Sequence, residues 1–115
     1  MHLKELVNIL GGEIICGSSN FELKGELKAC ASDLMSDVLT LDDPKIILVT
    51  GLNNLQVVRT AEIADIKTIV FVRNKKPAQE MISLAEQENL NLIVSEKSMF
   101  HVCGLLFKAG VGPVY

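Results

Sequence analysis

The sequence predicts an α/β domain in three layers, a mainly parallel sheet with helices on both faces. Three observations predict it. Ile46-Ile47-Leu48-Val49, Thr68-Ile69-Val70-Phe71-Val72 and Leu92-Ile93-Val94 are uninterrupted apolar runs, the pattern of strands covered on both sides. Segments of helical periodicity lie between them, and strand alternating with helix implies parallel pairing through crossovers. With 115 residues, 49% of them apolar, the chain fits one domain, residues 1–115, around a single core that needs no staple or metal.

The elements follow in order. Leu3, Leu6, Val7 and Leu10 recur at spacings of three and four, and Gly11-Gly12 stops them, so His2 to Leu10 reads as a short amphipathic helix. Glu13 to Cys16 is a short strand, Gly17 to Asn20 a turn, and Lys28-Ala29-Cys30-Ala31 returns to the sheet. After the strand at Ile46–Val49, Leu55, Val57, Val58, Ala61 and Ala64 mark one helix. Ala78, Met81, Ile82 and Ala85 mark the next, between the second and third runs. The last helix, Ser98 to Lys108, carries Met99, Phe100, Val102, Cys103, Leu105, Leu106 and Phe107 around nearly every side. Such a helix needs a second covering surface: either another copy of the chain, meeting it at Met99, Val102, Leu105 and Leu106, or the N-terminal helix of the same chain.

Composition narrows the function. No apolar run is long enough to span a bilayer, and the charged start Met1-His2-Leu3-Lys4-Glu5 does not read as a signal peptide, which places the protein in the cytoplasm. A net charge of −3 argues against nucleic-acid binding, and the absence of Trp argues against a base-stacking platform. Cys16, Cys30 and Cys103, odd in number and set among apolar neighbours, read as buried reduced thiols.

In an open parallel sheet, ligands bind where loops leave the carboxyl ends of the strands. That rule selects Ser32 and Asp33; Thr50, Gly51 and Asn53; Arg73 and Lys75; and Ser95. In Thr50-Gly51-Leu52-Asn53-Asn54 the glycine permits close backbone approach and either asparagine can cap the following helix, so the turn either receives an anion or only satisfies its own amides. Arg73-Asn74-Lys75-Lys76-Pro77 gathers three cations before Pro77, expected at the first helical position, and would suit a nucleotide phosphate. A solvated basic loop is the commoner outcome for such a run. Asp33 and Asp37 lie four apart, so on a helix they would share a face and could hold hydrated Mg²⁺; helix capping alone would also select Ser-Asp there. No P-loop pattern occurs, no nucleophile has a recognisable base, and His101 and Cys103 point to different helix faces, so no catalytic or metal site and no cofactor is expected.

Three segments, Ala31-Ser32-Asp33-Leu34-Met35-Ser36-Asp37-Val38-Leu39, Thr50-Gly51-Leu52-Asn53-Asn54-Leu55-Gln56-Val57-Val58-Arg59-Thr60-Ala61, and Met99 to Gly110 (MFHVCGLLFKAG), follow Leu10-Gly11-Gly12-Glu13 in an order and spacing that resemble the DRTGG domain family over nearly the whole chain. The resemblance implies a fold like the N-terminal domain of HPr kinase. It also implies an accessory module that contributes to dimerisation and regulation, as in a bacterial phosphotransacetylase and between the paired CBS domains of regulated pyrophosphatases. Stand-alone members are associated with anaerobic bacteria and iron-only hydrogenase genes. A kinase activity is not implied, because the P-loop of HPr kinase lies in another domain. The expected function is a non-catalytic, homodimeric regulatory module that senses a small anion such as a nucleotide. The alternatives are a protein-interaction module docking onto a larger metabolic or hydrogenase-related enzyme, and a Mg²⁺-dependent phosphotransferase or hydrolase using Asp33 and Asp37.

Overall fold

The computed structural model describes all residues from Met1 to Tyr115. Six strands form one sheet in the order β1-β5-β4-β3-β2-β6: β1 (Gly12–Cys16), β2 (Lys28–Ala31), β3 (Ile46–Thr50), β4 (Thr68–Phe71), β5 (Asn91–Ser95) and β6 (Gly112–Pro113). The three apolar runs are β3, β4 and β5, mutually parallel and wholly buried. β2 extends the parallel set on one side of β3. β1 is the exception: it runs antiparallel to β5 with an irregularity between Ile14 and Cys16. A single glycine separates it from α1 (Leu3–Leu10), so β1 doubles back on that helix, and it starts beside Ser95 at the carboxyl end of β5 and runs down the sheet edge from there.

Side chains alternate across the sheet and seat one helical layer on each face. Ile46, Leu48, Ile69, Phe71, Leu92 and Val94 meet α2 (Met35–Val38), α3 (Leu55–Ile63) and α4 (Gln79–Gln87) through Met35, Val38, Val57, Val58, Ala61, Met81 and Ala85. Ile47, Val49, Val70, Val72 and Ile93 meet α1 and α5 (Met99–Lys108) through Leu3, Leu6, Leu10, Val102 and Leu106. Each fully buried aliphatic side chain contributes about 1.5–3 kcal/mol relative to exposure.

The covering of α5 is divided. Val102 and Leu106, expected at an intermolecular interface, are 0% and 1% exposed in this chain's own core, because α1 packs beside them. Met99 and Leu105 are half-buried at the margin of that core. The apolar residues left open on α5 are instead Phe100 and Phe107, 89% and 73% exposed. No helix is long and apolar enough to cross a membrane.

Three helices end alike. Asp65 after α3, Asn89 after α4 and Gly110 after α5 take left-handed backbone (φ 58°, 57° and 97°), and the next residues, Ile66, Leu90 and Val111, return an amide to the carbonyls of Ala61, Ala85 and Leu106. Those three residues are buried, which gives each helix end an apolar anchor.

Candidate functional site

The loops that leave β2, β3, β4 and β5 gather on one rim, since the carboxyl ends of these parallel strands lie level in the register. The turn from α1 into β1 joins them, because Gly12 is paired with Ser95.

Hydrogen bonds sew these loops together. Asp33 Oδ1 accepts from Thr50 Oγ1 at 2.9 Å and from the Gly51 amide at 2.7 Å. Thr50 Oγ1 in turn accepts from the Leu52 amide at 3.1 Å, and Ser32 Oγ accepts from the Leu34 amide at 3.0 Å. Asn53 Nδ2 donates to the Lys76 carbonyl at 2.7 Å, tying the β3 loop to the β4 loop. Arg73 and Asn74 donate their amides to the Lys97 and Ser95 carbonyls, both at 2.8 Å, tying the β4 loop to the β5 loop. That junction holds two successive non-glycine residues, Arg73 and Asn74, in left-handed backbone (φ 54° and 57°). The conformation costs about 1–2 kcal/mol per residue and persists because both amides are fixed across the loops.

This sewing assigns each candidate a place. Thr50 is fully buried and positions the loop from below. Ser95 is also fully buried; its hydroxyl donates to the Leu10 carbonyl at 2.8 Å and accepts from the Lys97 amide at 3.2 Å, so it fastens α1 to β5 and has no free surface for a ligand. The amides of Gly51 and Leu52, candidates for an anion, already serve Asp33 and Thr50. Asn54, not Asn53, caps α3, accepting from the Val57 amide at 3.3 Å. Pro77 is not the first helical residue: Ala78 is the N-cap and α4 starts at Gln79, so the basic loop is not set directly on the helix dipole. Asp33 and Asp37 do not share a helix face, since α2 begins only at Met35 and the Asp33 carboxylate turns to Thr50 and Gly51. No group of three or more His, Cys, Asp or Glu side chains converges as a metal site.

Charge remains available on the exposed side chains of Asp33, Arg73 and Lys75. A methyl group at Gly51 would stand 3.5 Å from Asp33 Oδ2 and 3.7 Å from an Arg73 guanidinium nitrogen, so acceptor and cation flank the same small residue. Oδ1 being occupied, Oδ2 is the carboxylate oxygen free to accept from a ligand hydroxyl or amine, and the guanidinium can fork onto a phosphate or carboxylate. Beside them a polar cleft of about 300 Å³ opens between Gly11, Gly12 and Glu13 on one side and Asn74 and Lys76 on the other. Lys76 Nζ stands 3.9 Å from Glu13 Oε1 across it. The largest cavity, about 510 Å³, lies at the opposite end of the sheet, beside Cys16 and Asn91.

The thiols contribute little reactivity. Burial raises Cys16, Cys30 and Cys103 above the ordinary thiol range, with Glu86 adding to the effect at Cys16 and Asp37 at Cys30. Thiolate, the nucleophile and metal ligand, is correspondingly scarce near neutral pH.

Periodicity contains a signal for Phe100 and Phe107: with Gly104 they stand at i, i+4 and i+7, one stripe opposite Val102 and Leu106. No comparable signal marks the Asp33 link, which joins residues 17 and 18 positions apart.

An open, mainly parallel α/β sheet with helices on both faces and its outgoing loops on one rim defines the class. Within it, the chain belongs to the DRTGG domain family, whose model matches residues 5–109. Among solved structures it is similar to the CBS and DRTGG domains of the regulatory region of Clostridium perfringens pyrophosphatase, complexed with the activator diadenosine tetraphosphate: identity is 16%, the TM-score 0.76, and the match covers 96% of this chain and 47% of that one. The chain therefore spans less than half the length of that neighbour. A search of curated protein sequences finds no match.

Proposed function

We propose that this domain is a non-catalytic regulatory module that binds an adenine nucleotide or a related phosphate-bearing ligand on the rim and self-associates through α5. The observation that carries the ligand reading is the convergence of Arg73 and Asp33 on Gly51, in a loop junction held in left-handed backbone by cross-loop hydrogen bonds. Arg73 and Lys75 supply charge to phosphate, and Asp33 Oδ2 with Ser32 meets ribose hydroxyls or a base amine. The family, and a neighbour that carries a DRTGG domain in a regulatory region complexed with a dinucleotide activator, support the same reading. A thermal-shift series with AMP, ATP and diadenosine tetraphosphate tests it. A ligand at about 100 times its Kd adds about 2.7 kcal/mol of stability, several degrees in a domain of this size. No shift with any of them at millimolar concentration contradicts the reading.

Self-association rests on a separate observation. Phe100 and Phe107 stand exposed on the side of α5 that also carries Gly104, where a side chain would meet nothing within 4 Å. Glycine in a helix interior costs about 1 kcal/mol relative to alanine, and no neighbour in this chain requires it. A second helix approaching closely would. Docking of the same face onto a larger enzyme is the alternative, and a chain that stays monomeric at high concentration favours it.

A further inference from the structure

The largest cavity lies at the end of the sheet away from the rim and is built unlike it. Its floor is Asn91, the first residue of β5, only 2% exposed. Asn91 Nδ2 donates to Thr68 Oγ1 at 3.2 Å, which turns Oδ1 toward Gly17. Gly17 has φ 113°, and a Cβ there would fall 2.4 Å from Asn91 Oδ1; only glycine lets the chain pass over this carboxamide. The walls include Glu86 near the end of α4, Asn89 in left-handed backbone just after it, Cys16, and Phe21 at 37% exposure. Glu86 is the sole formal charge among the lining residues, and no Lys or Arg lines the cavity. Phosphate or carboxylate would therefore find no cation here and would be repelled by Glu86, with only the neutral donors of Ser18 and Asn89 to meet it.

Three acceptors belong to this surface, Asn91 Oδ1, the Glu86 carboxylate and the Asn89 carboxamide oxygen, beside the neutral donors of Asn89 and Ser18, and the one formal charge is negative. A primary ammonium offers three N–H donors and no acceptor, which matches the three acceptors and the negative charge, and its carbon body can lie on Phe21. A volume of about 510 Å³ is the size of a small-molecule site rather than a protein interface. We propose that this cavity is a second ligand site, selective for a small organic amine in its protonated form, with Asn91 and Glu86 as the nitrogen's acceptors and Phe21 as the wall for its apolar part. The assignment is independent of the nucleotide reading of the rim.

The test uses two probes of like shape and opposite charge, phenethylammonium and phenylacetate, titrated separately into the ¹⁵N-labelled chain to about 10 mM, where a millimolar Kd gives near saturation. The expected result is that phenethylammonium moves the amide signals of Gly17, Asn89 and Asn91 and the Asn91 side-chain NH₂, while phenylacetate moves none of them. Glu86 is exposed, so Glu86→Gln keeps the fold, and it should weaken phenethylammonium about tenfold through loss of a charge-assisted contact. Phe21→Ala should weaken it as well. Equal binding of the two probes, perturbation confined to the rim or to α5, no perturbation, or undiminished affinity in Glu86→Gln would each overturn the proposal.

Discussion

Asp33 links the loop after β2 to the loop after β3, and its two hydrogen bonds are the shortest description of how the rim is held. Asp33→Ala leaves the Gly51 amide and the buried Thr50 hydroxyl without their acceptor, so the variant should lose about 1–3 kcal/mol in urea denaturation. Arg73→Ala removes an exposed side chain, relieves no packing and should leave that midpoint nearly unchanged. The thiols give a pH prediction. The folded state keeps the Cys16 and Cys30 protons at a pH where the unfolded chain releases them, because both folded values are raised. Their contribution is thus complete below the ordinary thiol range and is lost as pH rises through and beyond it. Urea midpoints should fall between about pH 8 and pH 9.5, and by less in Cys30→Ala; an equal fall in the variant would show that other groups are responsible.

Asp65 adopts left-handed backbone at a cost glycine would not incur, while its 3.4 Å ion pair with Lys67 is exposed and contributes little. Asp65→Gly should therefore stabilise the domain by up to about 1 kcal/mol, read as a raised urea midpoint with unchanged slope. The same residues show what the sequence could and could not reveal. Val and Ile runs wrote β3, β4 and β5 openly, because strands buried on both faces admit little else. Gly11 announced the end of α1, whereas Asp65 and Asn89 perform that task with residues that are also common in any loop. The antiparallel course of β1 was not legible, since Glu13-Ile14-Ile15-Cys16 has the same pattern in either direction and its partner β5 lies far along the chain. Ser95 and the Gly51 amide lay where the strand-end rule pointed, yet the partners that occupy them, Leu10 and Asp33, come from remote segments that no local pattern places.

For the whole molecule, two exposed surfaces differ in character: a polar rim at the carboxyl ends of the parallel strands and an apolar stripe, Phe100 and Phe107, on α5. The stripe makes its own prediction. Phe107→Glu should convert a concentration-dependent dimer into a monomer in sedimentation velocity without lowering the urea midpoint, because Phe107 is 73% exposed. Leu106→Glu should instead unfold the chain, since Leu106 is 1% exposed in the core between α1 and the sheet.

In the proposed function the rim takes a phosphate-bearing ligand through the cations of the loop after β4. Isothermal titration of diadenosine tetraphosphate and of ATP into the wild-type chain and into Arg73→Ala/Lys75→Ala measures it directly. Binding to the wild type is expected, with a loss of about 100-fold in the double variant, which keeps its fold because both side chains are exposed. Undiminished affinity in the double variant, or no heat of binding from either nucleotide at millimolar concentration, would contradict it.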